Sequence, residues 1–178
     1  MNAGKLMAGA ILACGLVAGV AIYYLQVYYF YEEVVPNGVD DVMLTQLDGT
    51  RVAIPYADFQ AIDADSSPIR YRACFTTTLT PAEAAATYQP YEGAEPRVAP
   101  GWFDCFDAEA IGDAIEAGTA QVYTSQRNRE FGIDRVVAIT DDGRGYVWHE
   151  INDCGDKAYD GTPLGDDCPD RASFEKDR

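Results

Sequence analysis

Residues 135–151 read Arg135-Val136-Val137-Ala138-Ile139-Thr140, then Asp141-Asp142-Gly143-Arg144-Gly145, then Tyr146-Val147-Trp148-His149-Glu150-Ile151. Two runs rich in β-branched and aromatic residues flank a cluster of turn formers, which is the pattern of an antiparallel strand pair. His149 shares its alternation parity with Val147 and Ile151, so the pattern turns it toward the core side or a groove edge. It is the one histidine of the chain. With no Ser or Cys nucleophile at hand it makes no triad, and a hydrogen-bonded structural role is the expectation.

Elements on the N-terminal side fit the same class. Val42 to Leu47, Asp48-Gly49 and Thr50 to Ile54 read as a hairpin, with Asp-Gly supplying the positive φ angles of its turn. Ile69 to Leu79 reads as a strand that carries Cys74, and Ala120 to Thr124 as another. Thr80-Pro81-Ala82-Glu83 is a capping box with Pro at the first helical position, and it opens a short helix to about Tyr88. Asp107 caps a second helix through Ala117, with Ile111, Ala114 and Ile115 as its apolar stripe and Gly118 as its stop. Gln89 to Gly101 is a loop rich in Pro and Gly. The fold class is therefore α+β, a small domain with an antiparallel sheet and two short helices. Beyond Asn152 the chain reads as a turn-rich tail, with Gly155, Gly161, Pro163, Gly165 and Pro169, and residues 175–178 are expected to fray.

Ahead of this domain lies a run without charge between Lys5 and Glu32. Residues 6–31 exceed the roughly 20 apolar residues that span a bilayer. The run also outlasts the apolar core of a cleaved signal, about 7–15 residues, which argues for an uncleaved anchor. Ile11-Leu12-Ala13-Cys14 resembles a lipobox, but the residues after Cys14 are as apolar as those before it, so Cys14 reads as a membrane-buried thiol. Lys5 precedes the run and Glu32-Glu33 follow it, so the positive-inside rule expects a cytoplasmic N-terminus. Tyr23 to Tyr31 suits the outer interface. Gly15 and Gly19 form a GxxxG pair, a helix-packing candidate. The expected organisation is 1–5 cytoplasmic, 6–31 transmembrane, 32–41 linker, 42–170 external domain and 171–178 tail.

Cys74, Cys105, Cys154 and Cys168 are an even set in a domain expected outside the cytoplasm, and read as two disulfides. Three connectivities are open; Cys74–Cys105 and Cys154–Cys168 close local loops and are the expected pair. No CxxC pair accompanies the single histidine, so zinc is not expected, and the absence of CxxCH excludes covalent haem. Asp141-Asp142-Gly143, Asp160-Gly161 and Asp166-Asp167 lack the calcium-loop pattern and read as turns. No cofactor, metal or catalytic residue is expected.

All 29 acidic residues lie from Glu32 onward, with all but Lys5 of the 13 basic ones, which leaves the external part near −17. Such charge repels nucleic acid and anionic lipid and attracts basic proteins. The run Trp102-Phe103-Asp104-Cys105-Phe106 is dense in aromatics; a core around a disulfide is the favoured reading, with Trp102, Phe103 and Phe106 as a candidate docking surface.

Four segments resemble one uncharacterised family. They are Tyr24 to Tyr28, Gly101-Trp102-Phe103-Asp104-Cys105-Phe106-Asp107, Gly132 to Ala138, and Asp142 to Tyr146 with Trp148-His149. The family comprises single-pass alphaproteobacterial proteins that carry a domain of unknown function. The resemblance spans nearly the whole chain. It implies no activity and no catalytic residues, but does imply a host with an oxidising periplasm and a respiratory chain. With no catalytic motif in view, the expected function is a non-catalytic accessory subunit or assembly factor of an integral inner-membrane complex. A cytochrome oxidase or the cytochrome bc1 complex is the expected host, with basic cytochrome c as a further partner. The alternative is a free-standing, membrane-tethered periplasmic binding or sensor module.

Overall fold

The uncharged run at the N-terminus has no residue that interrupts a helix, and it forms one. In a computed structural model that describes residues 3–162, 165 and 168–176, α1 spans Ala3–Tyr24 and continues as a π-helical turn, Leu25–Tyr29. The turn closes when the Phe30 N–H donates to the Leu25 carbonyl at 3.2 Å, and Tyr24 stacks on Tyr28 at 6.0 Å. Ala3–Tyr29 is long and apolar enough to cross a membrane, and none of it packs inside the protein. Residues 1–32 form one compact unit and residues 33–178 another.

The second unit is the α+β domain. Its strands are β1 (Glu32–Glu33, across the unit boundary), β2 (Met43–Thr45), β3 (Arg51–Ala53), β4 (Ala57–Asp63), β5 (Arg72–Thr76), β6 (Ala120–Glu130), β7 (Ile133–Thr140) and β8 (Arg144–Ile151). A six-stranded sheet runs in the order β1-β4-β5-β8-β7-β6, while β2 and β3 pair as a separate hairpin. The pairings from β4 through β6 are antiparallel. Residues 33–41 belong to this unit, with the Val34 N–H donating to the Ala61 carbonyl at 2.9 Å.

Strand alternation divides the sheet into two buried faces. One cross-strand row runs Ala61, Ala73, Val147, Val137, Tyr123. It lies in the main core with Val42, Leu44 and Ile54 from the hairpin region and Ala84 from helix α2 (Pro81–Thr87). The next row, Ile62, Arg72, Trp148, Val136, Thr124, faces the other way. That second face is covered by the segment 89–106, which leads into α3 (Ala108–Glu116). Both helix starts are built as the sequence implies: Thr80 and Glu83 form the reciprocal capping box, and Asp107 accepts from the N–H groups of Glu109 and Ala110.

Three elements differ from the sequence reading. Strand β4 occupies a stretch without clear alternation, where Asp58 takes φ 52° and the register shifts between Ala57 and Gln60. Strand β6 runs on to Glu130 through two register shifts, with Asn128 at φ 47°. A third helix of the domain, α4 (Arg171–Lys176), stands where fraying was expected, and Phe174 packs edge-on against Phe131 at 6.1 Å. Residues 177 and 178 of that expected tail lie outside the described residues.

Candidate functional site

The cover over the second sheet face is fastened at three points. Cys74 on β5 is bonded to Cys105. Arg72, 3% exposed, donates from Nε to the Arg97 carbonyl at 2.7 Å and from Nη2 to the Val98 carbonyl at 3.3 Å. Its Nη1 also reaches the Ile69 and Tyr71 carbonyls. Glu150 accepts from the Glu95 N–H at 2.8 Å and pairs with Arg97 at 3.0 Å, while the buried Trp148 indole donates to it at 2.6 Å. Buried charges are tolerable only when their polar atoms are satisfied; Arg72 is hydrogen-bonded to four carbonyls, two of them in the cover, and Glu150 is paired with Arg97 of the cover. The second disulfide, Cys154–Cys168, ties the tail. These are the two bridges that local loop closure favours.

The cover leaves an opening at each side. On the β4 side, a groove of about 390 Å³ is lined by Val34, Val35, Phe59, Ile62, Trp102 and Phe103, among others. Of the three aromatics that are candidates for a docking surface or a disulfide core, Phe106 lies in the core: it is 4% exposed and packs edge-on against Tyr146 and Trp148. Phe103 is also buried, at 8%, and lines the groove. Trp102 is half-buried and is the one that presents surface. The disulfide at Cys105 explains the split, because it pulls the following Phe106 onto the sheet.

On the β6 side lies a more polar recess of about 460 Å³, lined by Gln89 to Gly93, Thr124, Arg127, Asp134 and residues 150–153. Asp134 and Glu150 are cross-strand partners, and both are buried. Burial, and then the nearby Asp134 charge, push the Tyr91 phenol up, so it stays protonated. Sequence reasoning missed this recess. The available signal was parity: Asp134 alternates with Val136 and Glu150 with Trp148, which puts carboxylates on a buried face.

His149 is 4% exposed on the opposite face. Its ring stacks on Tyr71 at 5.1 Å, Arg135 Nε donates to its Nε2 at 3.0 Å, and its Nδ1 meets the Pro68 carbonyl. With Nε2 accepting, Nδ1 carries the proton and donates to Pro68. Burial, with the Arg135 charge behind it, lowers its pKa to about 3, so the imidazole is neutral and not poised for proton transfer near pH 7. Burial likewise lowers Arg135 to about 10.

The turn aspartates are occupied locally. Asp142 accepts from Thr140 and Arg144, and Asp160 from Thr162. Asp166 and Asp167 lie outside the described residues. Among the described residues no group of three or more His, Cys, Asp or Glu is arranged to hold a metal ion. In α1, neither Gly15 nor Gly19 packs against the rest of the protein, and Cys14 keeps a free thiol.

Residues 42–169 match a family of unknown function, DUF6446. The chain belongs to that family. In this DUF6446 protein the match takes in β2 to β8, the cover and the polar recess, while α1, β1 and the Val34–Val35 edge of the groove lie outside it. No curated protein and no solved structure matches the chain.

Proposed function

We propose that the protein is a membrane-anchored, non-catalytic accessory subunit or assembly factor of an integral membrane complex. Its N-terminus lies in the cytoplasm and its domain in the periplasm of a bacterial inner membrane. The observation that carries this reading is the groove at Trp102 and Phe59, whose lining begins at Glu33, directly after the apolar segment in the chain. Half-buried aromatics in a groove are the residues that anchor protein interfaces, which suits docking on a partner protein. Gly15 and Gly19, which carry no side chain, let a second helix approach α1 closely. Two disulfides require an oxidising compartment, and Lys5 before the span with Glu32-Glu33 after it supports the orientation. A respiratory host, a cytochrome oxidase or the cytochrome bc1 complex, agrees with the charge, since a domain near −17 concentrates a basic c-type cytochrome.

The test is capture of the tagged full chain from native membranes in mild detergent at low salt. The reading expects an integral membrane complex to copurify, and to be lost with Trp102→Ala combined with Phe59→Ala. Recovery of no membrane complex would sink it. The second reading, a tethered binding or sensor module, draws on the recess at Asp134. It separates from the first on exchange of residues 6–31 for an unrelated anchor, which leaves a tethered module active and disables an accessory subunit that packs through its helix.

A further inference from the structure

The groove beside Trp102 has a single polarity. One wall is the sheet edge, with Val34, Phe59 and Ile62, and the other is the cover segment 102–105. Glu33 stands on the first wall and Asp104 on the second; both are exposed, and no basic side chain lines the groove. Neither carboxylate is in an ion pair among the described residues. Past Phe103 and Asp104 the trough continues into a further opening of about 370 Å³. There Val98, 81% exposed, lies with Pro100 and the exposed Asp107 and Glu109, again without a basic residue. The remaining recesses are mixed: Arg127 stands among the carboxylates of the polar one, and Lys157 and Arg171 accompany Glu130 in the one beside Phe131.

We propose that this trough binds a cationic amphipathic segment of a partner protein, an extended stretch in which apolar side chains alternate with Lys or Arg. The proposal rests on the docking reading of the groove and adds the chemistry of the occupant. Alternation puts the apolar side chains of an extended chain on one face, and Trp102 with Phe59 is the aromatic anchor that receives them. The basic stems lie along the apolar rim and carry their charge to Glu33 and Asp104. Charge complementarity decides among occupants. A second copy would bring another domain near −17 against the same carboxylates. A neutral acyl chain would leave Glu33 and Asp104 without a counter-charge. Exposed ion pairs are weak singly, so apolar burial supplies the affinity while the two carboxylates select the partner and speed its arrival.

The experiment is calorimetric titration of the full chain in detergent at low salt, against detergent alone, with a short end-blocked peptide of alternating Leu and Lys. Peptides of alternating Leu and Ser, and of alternating Ser and Lys, are the comparisons. The Leu–Lys peptide binds tightest, and added salt weakens it. Trp102→Ala weakens it by about tenfold or more, the scale of an aromatic anchor. Glu33→Gln combined with Asp104→Asn weakens it severalfold. Asp141→Asn combined with Asp156→Asn, the same loss of charge at exposed sites outside both linings, leaves it unchanged. Absence of binding overturns the proposal. Equal binding of the Leu–Ser peptide overturns it in favour of a neutral apolar occupant. Equal binding of the Ser–Lys peptide, or equal weakening by the two carboxylate pairs, overturns it in favour of net charge alone. A dimer in light scattering that Trp102→Ala dissociates overturns it in favour of a second copy. Copurification is read separately: no membrane complex with Leu–Lys binding intact removes the accessory-subunit reading alone, and a complex without peptide binding removes this inference alone.

Discussion

Acidification should unfold this domain through His149. In the folded chain its pKa lies near 3, lowered first by burial and then by Arg135; in the unfolded chain it returns to 6.5. The unfolded state therefore takes up a proton that the folded state resists. The stability tied to the neutral ring is complete above 6.5 and is lost progressively as the pH falls toward 3. Between about pH 7 and about pH 5 the linkage relation makes the loss about 2 kcal/mol. That figure hardly depends on the folded value once it lies well below 5. The assay is urea unfolding of the full chain in detergent, followed by circular dichroism at both pH values, for the original and for His149→Gln. Glutamine keeps an oxygen to accept from Arg135 and does not titrate. Asp63, whose pKa burial raises, titrates in both proteins and cancels in the difference. His149 is the one histidine, so the original should lose about 2 kcal/mol more than the variant on acidification. Equal losses in the two proteins would refute the neutral, doubly bonded imidazole.

Gly132→Ala should destabilise by about 2 kcal/mol or more, since the residue has φ +80° and a Cβ there would lie 2.4 Å from the Gly155 backbone; thermal unfolding measures it. Replacing Cys74 and Cys105 together by Ala frees a 31-residue separation, against 14 for Cys154 and Cys168. On loop entropy the first pair is worth about 3.7 kcal/mol and the second about 3.0, an order read from denaturant midpoints of the two double variants. Asp107→Ala removes the cap of α3 and should cost about 1 kcal/mol, visible as faster amide exchange at Glu109 and Ala110.

The parts of the fold that could be read in advance are those whose local chemistry agrees with their tertiary role. The pair β7 and β8 alternates cleanly around a turn with Gly143 at φ +82°, and α2 and α3 announce themselves by their caps. Strand β4 is hidden because it bulges at Asp58 and exposes most of its first half. The end of β6 is hidden because Ser125 to Glu130 is polar throughout, and its pairing rests on β7 rather than on a buried stripe of its own. The recess was harder still. Asp134 and Glu150 are two of 29 acidic residues, and only the register between β7 and β8 sets them side by side. The aromatic run at Trp102 is divided at its disulfide, with Phe103 and Phe106 buried and Trp102 half-buried at the groove.

The bond from the Trp148 indole to Glu150 gives the molecule an optical probe of its own recess. Indole emission shifts with the charge held against its N–H, and Glu150 sits in register with Asp134. With Trp102→Phe, the remaining emission comes from Trp148 alone, since the chain has two tryptophans. A rearrangement of the cover at Glu150 would then report itself as a change of colour in the purified chain, without a label.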